Sequence, residues 1–426
     1  MRPFRFALIL VFAAAPLRAQ DADWKTRLSA AIARAIAHNP EIAGMEFRIE
    51  AARHRVGQAA ALPDPQLDLA LKDFPVSDFS LSRDDFTMEV VGLQQTFPGA
   101  GKRPARRAVA EAELAGVSAS HEDHRIRLAA EVADAFFSLG EIDARTAILE
   151  QSRSRLKRVA ASASERYRVG KGAQADVLRS NLEVTAAEER LVALRGERRM
   201  VAARWNTLQA LRPSEPVAVA ALPPEEPSLP AETELVGEAV GRSPIVAVSA
   251  AEVRRAEEDL SLARLEARPD VTAAAYYAHR IDYEDLAGLG VSLTLPFVQN
   301  KRLRQRQAEK SADASGSRAN LEMVKNDIGR GVAQAYADLE RSIEQARLYR
   351  GSILPQAETN ASAAAEAYTV GQVDFLTYVR AAIDRDTYEA ELAMRRAAAW
   401  RAVAALQKAS GLALVPGTPG GEERHE

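Results

Sequence analysis

The sequence predicts a mainly α-helical protein with a small β part, built from two copies of one structural repeat. Very long proline-free stretches have helical spacing, and short stretches between them alternate apolar and polar residues. The pattern Tyr-x-Val-Gly occurs at 167–170 and again at 368–371, 201 residues later. Upstream, Val-Ala-x-Ala-aromatic occurs at 132–136 and at 332–336, an offset of 200. Such recurrence in the same order indicates one unit used twice.

The N-terminus has the features of a secretory signal peptide. Arg2 and Arg5 precede an apolar run, and we expect residues 1–19 to be removed after the small residue Ala19. After this segment, no stretch approaches ~18 consecutive apolar residues, so no transmembrane helix is predicted. The 426 residues include no cysteine, which excludes disulfides, thiolate metal sites and thiol nucleophiles. The net charge of −3 gives no support for nucleic-acid binding.

The first repeat is assigned to residues 20–212. Its predicted elements are helices at 24–37 and 41–62, a β-hairpin at 65–97 and a helical hairpin at 103–211. Pro40 suits the first turn of the second helix. The period changes to two where Leu67, Leu69 and Leu71 alternate with less apolar residues, which predicts a strand.

The first helix of the helical hairpin is unusually long. No proline interrupts about 65 residues from 105, and apolar residues recur at heptad spacing from Leu128 to Ala160. At ~1.5 Å per residue this is roughly 100 Å of helix. The helix is expected to end at Gly170, and a second helix returns from about Gln174.

The second repeat, residues 232–411, follows a proline-rich linker at 213–231. Its predicted elements are helices at 232–241 and 245–266, a β-hairpin at 270–297 and a helical hairpin at 303–411. Residues 412–426, rich in glycine and charge, are expected to form a disordered tail.

The length of the predicted strands points to a membrane. A tilted transmembrane strand needs ~9–11 residues, and strands cross a bilayer only as a closed barrel, because an open edge leaves backbone groups unpaired. One chain supplies four strands, whereas the smallest bacterial barrels have about eight. Two copies would give eight strands and three would give twelve. Two soluble hairpins packed on helices remain the alternative for the strands.

These features together resemble the TolC-like outer-membrane efflux proteins over nearly the whole chain. The markers are Asn39-Pro40 and Ser243-Pro244, the segments 95–99 and 295–297, the Val-Ala-x-Ala-aromatic pair and the two Tyr-x-Val-Gly tips. The resemblance implies a homotrimer in which a twelve-stranded β-barrel continues into a twelve-helix coiled-coil periplasmic tunnel. It also implies a periplasmic adaptor protein and an inner-membrane pump as partners, and contact with outer-membrane lipid.

The resemblance further implies roles for the two tips. It predicts that the adaptor docks there, on the residues Tyr167, Val169, Gly170, Tyr368, Val370 and Gly371. Relatives can carry acidic residues after the second tip, but Thr377 stands at the first matching position and Arg380 at the second. We therefore expect a different periplasmic gate, with Asp176, Asp374 and Arg380 as its candidate residues.

The expected function is passive conduction through the outer membrane, with energy supplied by the pump. The segment 96–103 resembles relatives that serve heavy-metal cation pumps, so metal cations and other small molecules both stay open as cargo. His121 and His124 are interpreted as solvated rather than metal-binding. No catalytic constellation, cofactor or metal site is expected. The main alternative is a periplasmic coiled-coil adaptor or scaffold.

Overall fold

Long helices dominate the computed structural model, which describes residues 24–76, 80–296 and 300–419. The helices are α1 (Trp24–His38), α2 (Pro40–Ala60), α3 (Lys102–Arg168), α4 (Gln174–Leu208), α5 (Glu232–Arg242), α6 (Pro244–Leu265), α7 (Asn300–Leu348), α8 (Leu354–Thr369) and α9 (Phe375–Ser410). The strands are β1 (Gln66–Lys72), β2 (Met88–Phe97), β3 (Val271–His279) and β4 (Leu286–Leu293). The same order occurs twice, as predicted. The predicted signal peptide, 1–19, lies outside the described residues.

The four strands form a single antiparallel sheet in the order β1-β2-β3-β4. The two predicted hairpins are therefore joined through β2 and β3, where Phe97 pairs with Val271 and Glu89 with His279. The four strands have 7, 10, 9 and 8 residues, and β2 ends at Phe97 while β4 ends at Leu293. Because β1 and β4 are the edges of the sheet, each leaves one row of backbone groups unpaired within the described chain.

The two faces of the sheet differ in chemistry, since paired residues share a face and successive residues alternate. One face is mainly apolar or aromatic, with Glu89, Gln95 and His279 as its polar members. It carries Leu67, Leu69, Leu71, Glu89, Val91, Leu93, Gln95, Phe97, Val271, Ala273, Ala275, Tyr277, His279, Ala287, Leu289, Val291 and Leu293. The opposite face is mainly polar or glycine, with Met88, Val90, Ala278 and Leu286 as apolar members at one end. It carries Gln66, Asp68, Ala70, Lys72, Met88, Val90, Gly92, Gln94, Thr96, Thr272, Ala274, Tyr276, Ala278, Leu286, Gly288, Gly290 and Ser292. On the apolar face Leu69 is 71% exposed and Leu289 90%, so this chain alone leaves a large apolar surface uncovered.

The long helices pack side by side, with α3 against both α4 and α9, and α7 and α8 against α9. The heptad residues Val132, Leu139 and Ile142 of α3 are buried, as their spacing predicted. The helix predicted from 303 is not uniform, because a π-helical turn at Tyr349–Ile353 separates α7 from α8. No helix in the described part of the chain combines the length and apolarity needed to cross a membrane.

The main hydrophobic core lies where α1, α3, α5, α7 and α9 converge. Trp24, Phe137 and Trp400 form its centre, with the Trp24 and Trp400 rings 4.9 Å apart and the Phe137 and Trp400 rings 5.5 Å apart. The indole of Trp400 donates a hydrogen bond to the Glu225 carbonyl in the linker, at 3.2 Å. The proline-rich linker therefore packs against this core.

The C-terminal segment corrects one prediction. Disorder was expected for 412–426, but Leu412 and Val415 are buried in the main core. The buried amide oxygen of Gln407 accepts hydrogen bonds from the Leu414 and Val415 N–H groups, at 2.9 Å and 2.8 Å. Ordered packing thus extends over 412–419, because one buried side chain satisfies two backbone N–H groups in the middle of the segment. Residues 420–426 lie outside the described chain.

The junction of sheet and helices is held by a mostly buried ion pair between the repeats. Lys102, at the start of α3, places its ammonium 2.7 Å from the Asp270 carboxylate, which precedes β3. The same carboxylate oxygen accepts a hydrogen bond from the Gly99 N–H at 2.6 Å. Gly101 adopts a positive φ of 88° beside them, which glycine allows at little cost. The first helical hairpin therefore leaves the sheet in a defined direction.

Candidate functional site

The first hairpin tip is a helix end of the Schellman type. Gly170 has a φ of 74°, and its N–H donates to the Tyr167 carbonyl at 2.9 Å. The Lys171 N–H donates to the Arg166 carbonyl at 2.8 Å. These two hydrogen bonds satisfy carbonyls at the end of α3 that the helix itself leaves unpaired.

The second tip repeats this geometry residue for residue. Gly371 has a φ of 76°, and its N–H donates to the Tyr368 carbonyl at 3.2 Å. The Gln372 N–H donates to the Ala367 carbonyl at 2.8 Å. The shared Tyr-x-Val-Gly pattern therefore encodes one backbone turn used twice.

Both tip glycines are required by conformation and not by crowding. A Cβ atom added to Gly170 or to Gly371 would meet no atom within 4 Å, whereas a positive φ is strained for other residues. The neighbouring Val169 and Val370 are 56% and 70% exposed. Each tip thus offers an uncovered turn of backbone next to an exposed apolar side chain.

The two tip tyrosines lie in different surroundings. Tyr167 is 49% exposed. Tyr368 instead stacks on Tyr378, with ring centres 5.3 Å apart, and meets the Phe375 ring edge-on at 5.7 Å. The Arg166 guanidinium of the first tip lies 4.8 Å from the centre of the Tyr368 ring. Tyr368 therefore belongs to a small core at the tip, and it joins the two hairpins there.

The three gate candidates are not brought together within this chain. Asp374 is the N-cap of α9, where its carboxylate accepts a hydrogen bond from the Thr377 N–H at 2.7 Å. Hydrogen bonds from the Thr377 hydroxyl and backbone hold the pKa of Asp374 below its ordinary value. Asp176 is half-buried and Arg380 is exposed. Within the described chain no ion pair joins any two of the three, and their role in a gate stays a prediction.

The sequence reasoning missed a buried charge that links the two hairpins. Asp386 of α9 is only 7% exposed, and its carboxylate lies 2.5 Å from the guanidinium groups of both Arg155 on α3 and Arg385. A signal was present, because Asp386 stands seven residues from the buried Val379 and seven from the buried Ala393. A carboxylate at a buried heptad position needs a cationic partner.

The residues described above form exposed surfaces and ion pairs between helices rather than a reactive site. A groove of about 450 Å³ runs between α3, α8 and α9 behind the second tip, lined by Leu156, Val159, Tyr368, Val379 and Asp386 among others. Within the described residues, no group of three or more histidine, aspartate or glutamate side chains is placed to hold a metal ion. The candidate functional features are therefore the two hairpin tips, the charged tie that Asp386 forms with Arg155 and Arg385, and the sheet with its two chemically different faces.

Known proteins resemble this chain over most of its length. The model of the family described as "Outer membrane efflux protein" matches twice, at residues 31–211 and 235–412, which is once on each repeat. The cobalt-zinc-cadmium resistance protein CzcC of Cupriavidus metallidurans is 26% identical over 369 residues, covering 85% of this chain and 84% of CzcC.

Solved structures share the fold at low sequence identity. The chain superposes on CusC with a TM-score of 0.79 at 14% identity, covering 93% of this chain and 96% of CusC. It superposes on the outer membrane protein VceC of Vibrio cholerae with a TM-score of 0.75 at 17% identity, covering 91% of this chain and 96% of VceC. With the family model matched on both repeats, this chain belongs to the outer membrane efflux protein family.

Proposed function

We propose that this chain is the channel component of a tripartite efflux system, in which three copies share one outer-membrane β-barrel. The observation that carries the proposal is the sheet, with one mainly apolar exposed face, one mainly polar face and two edge strands, β1 and β4, each paired on one side only within the described chain. An apolar outer face against a polar interior is the pattern of transmembrane barrels. Strand edges inside a bilayer must pair so that the barrel is closed. In a second copy of this chain, β4 is an edge strand with which β1 can pair.

Three copies are the number that the resemblance implies, and their strand number allows a closed barrel. Twelve strands exceed the minimum of about eight for a bacterial barrel. Each copy adds four long helical segments below the sheet, α3, α4, α7–α8 and α9, so three copies supply a twelve-helix tunnel. The apolar face, with Leu69 and Leu289, then contacts outer-membrane lipid.

The proposed adaptor docks on the tips of this tunnel. Support comes from the open backbone at Gly170 and Gly371 and from the exposed side chains of Tyr167, Val169 and Val370. Tyr368 contributes by holding the second tip in shape. The adaptor would connect the tunnel to an inner-membrane pump that supplies the energy. In the closed tunnel, Asp176 and Arg380 are proposed gate residues, with Asp374 acting through the helix start that it caps.

Divalent metal cations are the proposed cargo class. Support comes from the relative named as a cobalt-zinc-cadmium resistance protein and from the segment 96–103, whose sequence resembles channels that serve metal pumps. An adaptor or scaffold role is not supported, because the family matched on both repeats is one of efflux proteins. Loss of drug tolerance without loss of metal tolerance in a deletion strain would assign the channel to another cargo.

The channel is tested on full-length protein extracted from outer membranes. We expect a trimer by light scattering and ion conductance in planar bilayers. Leu289→Arg should reduce the membrane-inserted trimer, because arginine on the lipid face costs about 2–4 kcal/mol at mid-bilayer. Gln94→Arg, on the polar face, is the matched control and should insert normally. A soluble monomer without conductance would overturn the proposal.

A further inference from the structure

One row of residues crosses the whole sheet on its polar face. The strand register pairs Asp68 with Gly92, Gly92 with Tyr276, and Tyr276 with Gly288. Paired residues in neighbouring strands lie side by side on one face. These four residues therefore occupy one level of the sheet, with one residue from each strand.

This level contains only two side chains, because the other two residues are glycines. A Cβ atom at Gly288 would clash with ring carbons of Tyr276, so the phenol ring covers that glycine. A Cβ atom at Gly92 would lie 3.5 Å from the Asp68 Cβ and 3.7 Å from the Tyr276 Cβ. The ring of Tyr276 thus lies flat against the sheet at Gly288. Gly92, which has no side chain, leaves space beside Asp68.

The carboxylate in this row is exposed and unneutralised. Asp68 is exposed, and among the described residues no hydrogen bond or ion pair engages its carboxylate. On the polar face, the paired residues of the four strands include a single carboxylate, Asp68, and a single ammonium, Lys72, four residues along β1. The other acidic residue in the strands, Glu89, is paired with Leu71 and so lies on the opposite face.

We propose that Asp68 sets the cation preference of the barrel lumen, as a ring of three carboxylates at the level of Tyr276. This inference rests on the proposed function, because the ring exists only if three copies close a barrel around the polar face. Fixed carboxylates around a water-filled pore raise the local concentration of cations and lower that of anions. A divalent cation gains more from such a ring than a monovalent ion, since its charge is doubled.

The distance over which the ring acts depends on salt. The screening length is about 10 Å at 0.1 M salt and about 30 Å at 0.01 M. Three charges spread around a wide lumen therefore influence the whole cross-section at low salt and only the wall at high salt. This dependence separates an electrostatic role of Asp68 from a change in barrel shape, which salt would not reverse.

The test measures reversal potentials of the full-length channel in planar bilayers under a potassium chloride gradient near 0.01 M. Asp68→Asn should lower the ratio of cation to anion permeability by roughly twofold or more at that salt, and the difference should fade toward 1 M. Glu89→Gln, on the other face, is the matched control and should leave the ratio unchanged. Lys72→Gln should raise the ratio, and Asp68→Glu should preserve it.

The outcomes separate the two proposals. If wild-type protein forms channels and Asp68→Asn keeps the wild-type ratio at low salt, the selectivity inference is wrong and the channel function stands. An equal change in Glu89→Gln would also contradict it, because the effect would then not depend on the lumen face. If the wild-type protein forms no channels, the proposed function fails, and the ring fails with it. Trimer formation by each variant is checked before recording.

Discussion

The two hairpin tips share a backbone turn and differ in what supports it. Gly170 and Gly371 have nearly equal φ values, and neither glycine has neighbouring side chains that restrict it. Behind the second tip, however, Tyr368 stacks on an aromatic cluster, whereas Tyr167 at the first tip is half exposed. The second tip is therefore braced by side chains, and the first depends mainly on its helix ends.

The sequence explains this difference at the positions related by the 201-residue offset. Phe375 and Tyr378 of the second tip correspond to Gln174 and Val177 of the first, so the first tip has no aromatic cluster. A repeated turn motif therefore sets the backbone conformation, while the residues around it decide how firmly the turn is held. For a docking surface, the first tip would then be the adaptable half and the second the rigid half.

The charged tie between Arg155 and Asp386 is also present at only one of the two places that the repeat relates to each other. Arg155 and Asp386 link α3 to α9, but the residues related to them by the offset are Gln356 and Thr185. The packing inside one chain therefore contains a buried ion pair where the related pair of positions is uncharged.

The largest expected effect comes from removing this tie. Asp386→Ala leaves Arg155 and Arg385 close together without their shared carboxylate. We expect roughly 2–3 kcal/mol of local destabilisation, less than the 3–5 kcal/mol typical of a broken buried pair, because both arginines reach solvent. Amide hydrogen exchange should then be about 30- to 150-fold faster across the α3–α9 contact.

Asp384→Ala is the matched control, because Asp384 is exposed on the same helix. It should leave exchange unchanged within about twofold. Equal effects of the two substitutions would show that the buried tie contributes no more than an ordinary surface charge.

The second prediction compares the two tip tyrosines directly. Tyr368→Ala removes a half-buried ring with aromatic neighbours and should destabilise the second tip by about 1–2 kcal/mol, well below the 3–5 kcal/mol of a fully buried aromatic. Tyr167→Ala should change the first tip by less than about 0.5 kcal/mol. Exchange rates of peptides covering the two turns measure both. Tyr368→Phe, which keeps the stacked ring, should restore protection, and similar losses at the two tips would refute the contrast.

The smallest expected effect concerns the start of the returning helices. Asp374 caps α9, whereas Ala173 occupies the equivalent position before α4 with no capping side chain. The backbone of Ala173 is already extended, with φ −85° and ψ 145°. Ala173→Ser would create a Ser-x-x-Asp capping box with Asp176 and should slow exchange at the start of α4 by about two- to fivefold, or 0.5–1 kcal/mol. Unchanged exchange would mean that the first tip does not lack a cap.

The cap at the second tip should also depend on pH. Because the pKa of Asp374 is depressed in the folded protein, its stabilisation is fully present above the ordinary value of 3.8 and is lost as pH falls below that value. Wild type should therefore be better protected than Asp374→Ala at neutral pH and equal to it in acid. The first tip, with Ala173, serves as the internal control and should show no such pH-dependent difference.

Much of the fold could be predicted because its signals are local or periodic. Heptad spacing, period-two strands and Pro40 at a helix start each determine structure over a few residues. The tip glycines were found for the same reason, since a turn with positive φ leaves a local signature. The packed segment 412–419 was missed because its order depends on Gln407, whose burial becomes evident only in three dimensions.

The candidate site was less predictable than the fold. Asp374 was interpreted as a gate residue, although its place before α9 also suits an N-cap, which the structure shows. Asp386 could have been noticed at a buried heptad position, but its partner Arg155 is 231 residues away in sequence. Pairings over such separations depend on how α3 and α9 pack, which spacing alone does not specify.

The π-helical turn at Tyr349–Ile353 affects the direction in which side chains at the second tip point. Between the Val-Ala-x-Ala-aromatic segment and the tip, the second repeat has one residue more than the first. In an unbroken α-helix that residue would rotate everything after it by about 100°. A π-helical turn accommodates an extra residue within the helix. The rotational phase of α8 is thereby reset, and Tyr368 reaches the tip facing the ring of Tyr378 instead of solvent.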